Sequence, residues 1–415
     1  MVTQYDVFEY MYKKDIPLAA HDVAKAFKKS YASYQTIYIL LIKLTEQGFL
    51  SKDKHGFLVL RSKRNDLTYD IINYCVSNQI NYNDLLDEKL VKFINKAFLK
   101  KRFTANDFDI GIKRFMKNVE ILAKYGLLII FSRKPLEAII PYNSFLGNLV
   151  KYFGHKVLVA KYKEDEYFDD IKRELKKFRN LVSKNLQKYK DVSKDYEIKF
   201  IHHSLSIEGN PITLPDTIKL LKKHIVPKDL DLESVQEVQN YQKSIDKMIK
   251  DAEEKSPLNK GAILNYHYLA MQHRPEIAGK IRKRAVHIEG NPDYKVARVD
   301  EIEKKLVNLM NKYETFTNKK RHALKEILEF AAYFHNEFQY IHPFEDGNSR
   351  TTRLITFHLL RILNVPVFDI PLGLLEEYVF STKGAKKRND KKLNQIIQLI
   401  ILSNLKTINE KLMEK

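Results

Sequence analysis

Apolar residues recur along most of the chain at spacings of three and four, the repeat of a helix with one buried face. Near the start, Ile37, Leu40, Leu41 and Leu44 form such a stripe and predict a helix over Tyr34–Gln47. Shorter apolar patterns predict helices over Tyr5–Tyr12 and Ala19–Phe27. Gly48-Phe49-Leu50 and Phe57-Leu58-Val59-Leu60 then flank a charged turn at Lys52-Asp53-Lys54 and Gly56, and read as two short strands. Three helices and a hairpin predict a winged helix over residues 1–64. A similar order recurs once: Phe103–Asp107, a helix over Ile112–Lys124, then strands at Gly126–Ile130 and Ala138–Ile140 around a turn at Ser132–Pro135. Residues 65–150 are accordingly expected to be a second helical, winged-helix-like domain. Charge-dense helical segments predict a linker over 151–194, and residues 195–415 read as almost wholly helical. The exception is Val286–Tyr294, a short extended stretch holding Gly290, Asn291 and Pro292. The expected class is mainly α, with small β-hairpins.

Composition narrows the partners. At 415 residues the chain exceeds one ordinary domain, so two or three are expected. No apolar stretch approaches the ~18 residues of a spanning helix, and the first residues lack a charged segment followed by an apolar run. A lone cysteine, Cys75, excludes an intramolecular disulfide and any cysteine-built metal site. A cytoplasmic protein with no membrane contact is expected. The net charge of +20 invites a nucleic-acid reading. The excess is spread, however: residues 1–150 hold 23 Lys and Arg against 15 Asp and Glu. The exposed positions of the third helix are Tyr34, Gln35 and Tyr38, with Lys43 near its end. The cations Lys52, Lys54, Arg61, Lys63 and Arg64 sit in and after the hairpin. That distribution fits weak contact of residues 1–64 with DNA, or docking of a protein target, or a homodimer; it does not fit base-specific reading.

The chemistry concentrates in one run, Ile341-His342-Pro343-Phe344-Glu345-Asp346-Gly347-Asn348-Ser349-Arg350-Thr351-Thr352-Arg353. Pro343 and Gly347 interrupt two strongly periodic helices, so the run is a loop that ends at a helix N-terminus. Free backbone N–H groups and a positive dipole end suit that place to an anion. Gly347, Asn348 and Ser349 are small enough to let phosphate oxygens approach the backbone. Arg350 and Arg353, three apart on one helical face, can both reach a polyphosphate. Asp346 offers a hard oxygen ligand for Mg²⁺, and His342 a base that works near neutrality. Base, metal carboxylate, anion nest and paired guanidiniums together describe phosphoryl or nucleotidyl transfer.

His342–Arg353 resembles the Fic-family motif His-Pro-Phe-x-[Asp/Glu]-Gly-Asn-Gly-Arg-x-x-Arg, departing from it at Ser349, where the family has glycine. Ala331, Ala332, His335, Phe338 and Ile341 precede the motif as in many relatives, and the resemblance covers roughly residues 195–405. It implies an all-helical core with a small β-hairpin flap, and transfer of AMP from ATP to a Ser, Thr or Tyr hydroxyl of a protein, with release of pyrophosphate. By the same resemblance His342 would be the general base, and Asp346 would hold Mg²⁺ on the α- and β-phosphates. Gly347, Asn348 and Ser349 would line the anion hole, Arg350 and Arg353 would hold the β- and γ-phosphates, and Phe344 would anchor the loop. A serine at 349 strains the nest if the backbone there needs positive φ, and is tolerated if it is helical; its place at the opening of a helix favours the second.

Ser204-Leu205-Ser206-Ile207-Glu208-Gly209 resembles the family's inhibitory motif, here N-terminal to the catalytic one. On a helix Ser204 and Glu208 share a face, and Gly209 makes a C-terminal stop. The implied device is competition, with Glu208 pairing with Arg353 in the space the γ-phosphate needs. His287-Ile288-Glu289-Gly290-Asn291 also holds Glu-Gly-Asn, but Ala285 stands where the motif needs a hydroxyl. Its extended stretch resembles the flap, in which Val286, Ile288, Gly290 and Tyr294 would face a target segment that pairs with it backbone to backbone. Tyr294 is either a wall of that site or an exposed hairpin tyrosine. The basic run Lys383–Arg388, after Tyr378, is either a solvated loop or an accessory contact for acidic partners or nucleotide. The expected partner is a protein substrate, the chain itself included. The alternatives are removal of AMP by the same site, and a nucleotide-sensing DNA-binding regulator with a weakly active domain.

Overall fold

The computed structural model describes residues 2–27, 32–160, 166–227, 230–288, 291–385 and 387–414. They form two units, one of Met1–Lys96 with Ser144–Val159, the other of Ala97–Asn143 with Ala160–Lys415.

In the first unit, helices Gln4–Lys14, Ala20–Ala26 and Tyr34–Glu46 precede antiparallel strands Leu50–Asp53 and Gly56–Val59. Thr3 and Asp6 form a reciprocal capping box on the first helix, and Ser33 caps the third. The third helix stops at Gln47 because Gly48 turns left-handed at φ 77°; the strand therefore opens at Leu50, two residues later than the apolar run predicts. The strands pair from Leu50↔Val59 to Asp53↔Gly56, and Leu18 adds a bridge to the outer side of Phe57. Gly56 is required there: at φ 128°, a Cβ would lie 2.4 Å from the Leu18 carbonyl oxygen. Val7, Phe8, Met11, Ile37, Leu41, Leu44 and Phe49 fill the space between helices and hairpin. Helix Lys63–Ser77 is tied to them through buried Asn65, whose amide donates to the carbonyls of Gly48, Phe49 and Leu60. It carries Cys75, which burial pushes up to about 12, an inert core thiol. Helix Ser144–Tyr152 packs on it, with Tyr74 and Phe145 stacked 4.0 Å apart.

In the second unit, a hairpin of strands Ile129–Arg133 and Leu136–Ile139 follows helix Ile112–Lys124. Ile129 and Phe131 enter the core of the helices that follow. Arg133 clasps Glu410 with two bonds of 2.7 Å, and Lys406 donates to the Phe131 carbonyl. The rest is helical, as the periodicity predicts. Helices Leu324–Ile341 and Asn348–Ile362 pack on one another at the centre. The former is flanked by Asp390–Met413, the latter by Leu232–Glu253 and Lys260–Ala270. Asn348–Ile362 is buried on nearly every side, yet it carries three threonines. Thr351, Thr352 and Thr356 each donate to the carbonyl four residues back, which satisfies hydroxyls that would otherwise be costly to bury. The extended stretch near 286–294 has one bridge, Ile288↔Asn291; Glu289 and Gly290 lie outside the described residues. The class is thus mainly α with small antiparallel hairpins. Among the described residues no helix is long and apolar enough to cross a membrane.

Candidate active site

The run 342–353 is the turn between the two central helices. His342 caps the first helix in the left-handed region, at φ 48°. Its amide donates to the Phe338 carbonyl, and its own carbonyl accepts 2.7 Å from Arg282 Nε. The imidazole is buried, with Nδ1 3.2 Å from the Gln339 carbonyl. A carbonyl only accepts, so that bond places the ring proton on Nδ1 and leaves Nε2 with its lone pair. Burial holds the group down at about 4, against the pull of the Gln339 carbonyl and of Asp346 and Glu208. His342 is therefore neutral across the physiological range.

Phe344 is fully buried and stacks on His267 at 3.7 Å, nearly parallel. His267 Nε2 donates to the Asp346 carbonyl, while its Nδ1 accepts from the Gly279 amide, both at 2.9 Å. Burial pushes His267 down to about 4, so the ring serves as a neutral strut. The turn leaves no room for a side chain at Gly347, where φ is 76° and a Cβ would meet Met271 Sδ at 2.9 Å and His267 Nε2 at 3.0 Å. Only glycine fits both constraints.

Gly347 is also the N-cap of helix Asn348–Ile362, and it supplies no capping side chain. The Asn348 side chain turns back instead, accepting from the Phe344 amide at 2.9 Å and donating to the Phe344 carbonyl at 2.8 Å. The first turn of the helix thus keeps backbone donors for an anion. Ser349 is helical, outside the left-handed region, and its hydroxyl accepts from Gln339 at 3.0 Å. Of the two backbone conformations considered for a serine there, the tolerant one is present.

The carboxylates and guanidiniums interlock. Asp346 Oδ2 accepts from Arg274 at 2.9 Å, and Oδ1 accepts from Arg350 at 3.0 Å and from the Gly347 amide. Burial alone would raise the Asp346 carboxyl; Arg350, the amide and Arg274 outweigh it and hold it below the usual carboxylate range. Arg350 also donates to Glu237, which accepts a second bond, 2.7 Å long, from Asn210. Among the described residues, Arg350 Nε is buried without a partner.

Arg353 is 1% exposed. Its Nε donates to the Ser204 hydroxyl at 2.6 Å, and its Nη2 to the Ser204 carbonyl at 3.0 Å and to Glu208 Oε1 at 2.9 Å. Ser204 lies in the last turn of helix Leu186–Ser206, and Gly209, at φ 92°, ends the turn that carries Glu208. Desolvation opposes the Glu208 charge, but Arg353 and Lys383 prevail and keep its carboxyl below the usual range. Tyr241, fully buried, bonds the Ser204 hydroxyl at 2.8 Å.

The resemblance-based set thus converges on one place: His342, Asp346, Gly347, Asn348, Ser349, Arg350 and Arg353, with Ser204 and Glu208 reaching Arg353. On the extended stretch, Val286 is half-buried and Ile288 buried. Tyr294 is buried as well, not an exposed hairpin tyrosine, and burial pushes its phenol up to about 12. Arg274, Glu237, His267 and Arg282 were not expected at the site. They stand singly in helices and loops far from the motif, and nothing in their local sequence marks them.

The description "Fic/DOC family" matches residues 231–360, a span that includes the whole of the turn just described. Residues 231–360 are thus similar to the Fic/DOC family. Ser204 and Glu208 lie upstream of the matched span. Among similar curated proteins are the protein adenylyltransferase Fic of Drosophila persimilis, 27% identical over 195 residues, and that of Drosophila melanogaster, 26% identical over 195 residues. Each alignment covers 47% of this chain, and 37% and 38% of the relative respectively. The chain therefore spans well under half the length of the curated relatives it matches. A Fic-domain-containing signaling protein of known structure from Bacteroides thetaiotaomicron is 20% identical, with a TM-score of 0.50, covering 58% of this chain and 97% of that one. That likeness is one of fold.

Proposed function

We propose that this chain transfers AMP from ATP to a hydroxyl of a protein, and that Glu208 restrains it. The observation that carries the reading is the bond between buried Arg353 and Glu208, inside a turn whose histidine is neutral and whose helix N-terminus is uncapped. The curated Drosophila relatives, named protein adenylyltransferases, support the same reaction class.

In this reading His342 Nε2 takes the proton of a target Ser, Thr or Tyr hydroxyl. The hydroxyl oxygen forms a bond to the α-phosphorus, the bond from that phosphorus to the bridging oxygen breaks, and pyrophosphate leaves. Donors around Gly347, Asn348 and Ser349 meet the charge that grows on the α-phosphate. The Asn348 side chain is committed to Phe344, so its contribution is the backbone amide. Arg350 and Arg353 hold the β- and γ-phosphates once their carboxylate partners give way. Glu208 meanwhile takes the place on Arg353 that the γ-phosphate needs.

Asp346 fits Mg²⁺. Its side chain is 45% exposed, and one carboxylate with phosphate oxygens is the usual Mg²⁺ donor set; it would have to exchange Arg274 for the ion. The ion would supply charge neutralisation between the α- and β-phosphates. Val286, Ile288, Gly290 and Tyr294 belong in this reading to the stretch that aligns the target. Residues 1–64 are read as a winged helix that docks protein, because Tyr34 and Ile39 are its exposed large side chains on the third helix and cations are scarce there. The expected location is cytoplasmic.

Incubation with each of four α-labelled nucleoside triphosphates tests the reading. Label from ATP should appear on protein, more strongly in Glu208→Gly and not at all in His342→Ala. Absence of label from every donor in Glu208→Gly would reject it.

A further inference from the structure

Glu208 is gripped from two sides. While Arg353 holds Oε1, Lys383 Nζ lies 2.8 Å from Oε2 and 3.2 Å from the Ile207 carbonyl. Lys383 stands just past helix Leu375–Ser381, on the loop before helix Asp390–Met413. Its backbone is pinned: Asn291 Nδ2 donates to the Lys383 carbonyl at 2.9 Å and to the Ala385 carbonyl at 3.0 Å. The ammonium is thus aimed at the carboxylate from a backbone held at Lys383 and Ala385, and its side chain is only 19% exposed.

The closely packed space beside the latch is bounded by Ile207, Gln339, Ser349, Tyr378, Arg353 and Lys383, among others. Arg353 and Lys383 are the charged groups of that lining; His335, which also faces it, is kept neutral by burial at about 3. When Glu208 withdraws, buried Arg353 and largely enclosed Lys383 remain, with no acidic side chain among the described residues of that lining. Buried charges are retained only when paired, so the vacated volume demands an anion that reaches both. Ser349, at the uncapped helix N-terminus, bounds the same space, so an anion there adjoins the one that the helix turn would receive.

We propose that Lys383 is a nucleotide-binding residue, whose ammonium takes the terminal phosphate of a nucleoside triphosphate after Glu208 leaves and so makes the site prefer triphosphate to diphosphate. This rests on the reading of Glu208 as occupant of the γ-phosphate position. Glu208 and the γ-phosphate then exchange on the same two cations, and Lys383 changes partner without moving far. A charge-assisted hydrogen bond of this kind is worth roughly 10- to 100-fold in affinity.

In the wild type, loss of Lys383 also loosens the latch, so the test belongs in the full-length Glu208→Gly protein. Binding of ATP and of ADP, each with Mg²⁺, is measured by calorimetry with and without Lys383→Met. The expected result is a loss of about 10- to 100-fold for ATP and less than about twofold for ADP, with Lys383→Arg restoring most of the ATP affinity. Should Lys383→Met melt early, Lys383→Gln serves for the same comparison. Equal losses for the two nucleotides, or no loss for either, would overturn the assignment. If Glu208→Gly binds ATP and labels protein while Lys383→Met binds ATP unchanged, only the lysine's role falls. If Glu208→Gly binds no ATP, the transferase reading falls with it.

Discussion

Arg353 Nη2 is 2.9 Å from Glu208 Oε1, a contact that joins the last arginine of the turn 342–353 to a residue 145 positions earlier. Desolvation works against both charges; Glu208 favours the charged Arg353 guanidinium, and Arg353 with Lys383 holds the Glu208 carboxyl below the usual carboxylate range. Substitution of Glu208 by glycine frees Lys383 and releases Arg353 from a charge-assisted bond of about 1.5–3 kcal/mol. Productive ATP binding should therefore rise by roughly 10- to 100-fold, read as the rate of α-label incorporation at subsaturating ATP. A rate unchanged from wild type would show that the contact does not restrain the site.

The restraint should also resist mild acid. Burial raises the Glu208 carboxyl, but its two cations hold it below the usual carboxylate range. The stabilisation of the contact is thus fully present above the ordinary carboxylate value and is lost only as pH falls through the depressed one. Wild-type labelling relative to Glu208→Gly, measured from pH 7.5 down to pH 5.5, should stay at a constant ratio. A ratio climbing toward unity over that interval would contradict the ion pair.

Much of this was legible in the sequence. The helix-breaking pair Pro343 and Gly347, between two periodic helices, marked the turn, and the spacing of His342, Asp346, Arg350 and Arg353 marked its chemistry. A helix at about Ile112–Lys124 is legible, and the structure buries Phe115, Val119 and Leu122 on one face of it. What the sequence hid are contacts made across the fold. Glu237 meets Arg350 from a neighbouring helix, Arg274 reaches Asp346 from a loop, and Arg282 fixes the His342 carbonyl. A lone charged residue in a lysine-rich chain looks like solvated surface, and only packing shows that it is paired. Residues 97–143 read from the sequence as part of a separate domain over 65–150, but the apolar Ile129 and Phe131 are buried among the C-terminal helices.

Gly347 should tolerate no side chain. Alanine there meets both a left-handed backbone and the Met271–His267 wall, a combination of the kind that costs on the order of 1–3 kcal/mol. Urea denaturation should report that loss, and labelling in the Glu208→Gly background should fall with it. Ser349→Gly, by contrast, removes one bond from Gln339 and leaves the helix start open; its labelling should stay within a few-fold of the parent.

Acid should destabilise the chain before its carboxylates titrate. Burial holds His267, His342 and His358 at about 4, and His202 and His335 at about 3. Unfolded, each would take a proton near the ordinary histidine value of ~6.5. Between those values the unfolded chain binds more protons, so stability falls as pH drops below ~6.5 and is fully present above it. Thermal melts at pH 7.5, 6.0 and 5.0 should show a falling midpoint. A flat profile would mean that these imidazoles are solvated.

The most direct test compares where the label sits in ATP. Glu208→Gly protein is incubated with ATP labelled at the α-phosphate or at the γ-phosphate, with His342→Ala introduced alongside. The account predicts protein-bound label from the α-position, none from the γ-position, and loss of the α-label in the double variant. Label arriving from the γ-phosphate, or α-label that survives without His342, would contradict it.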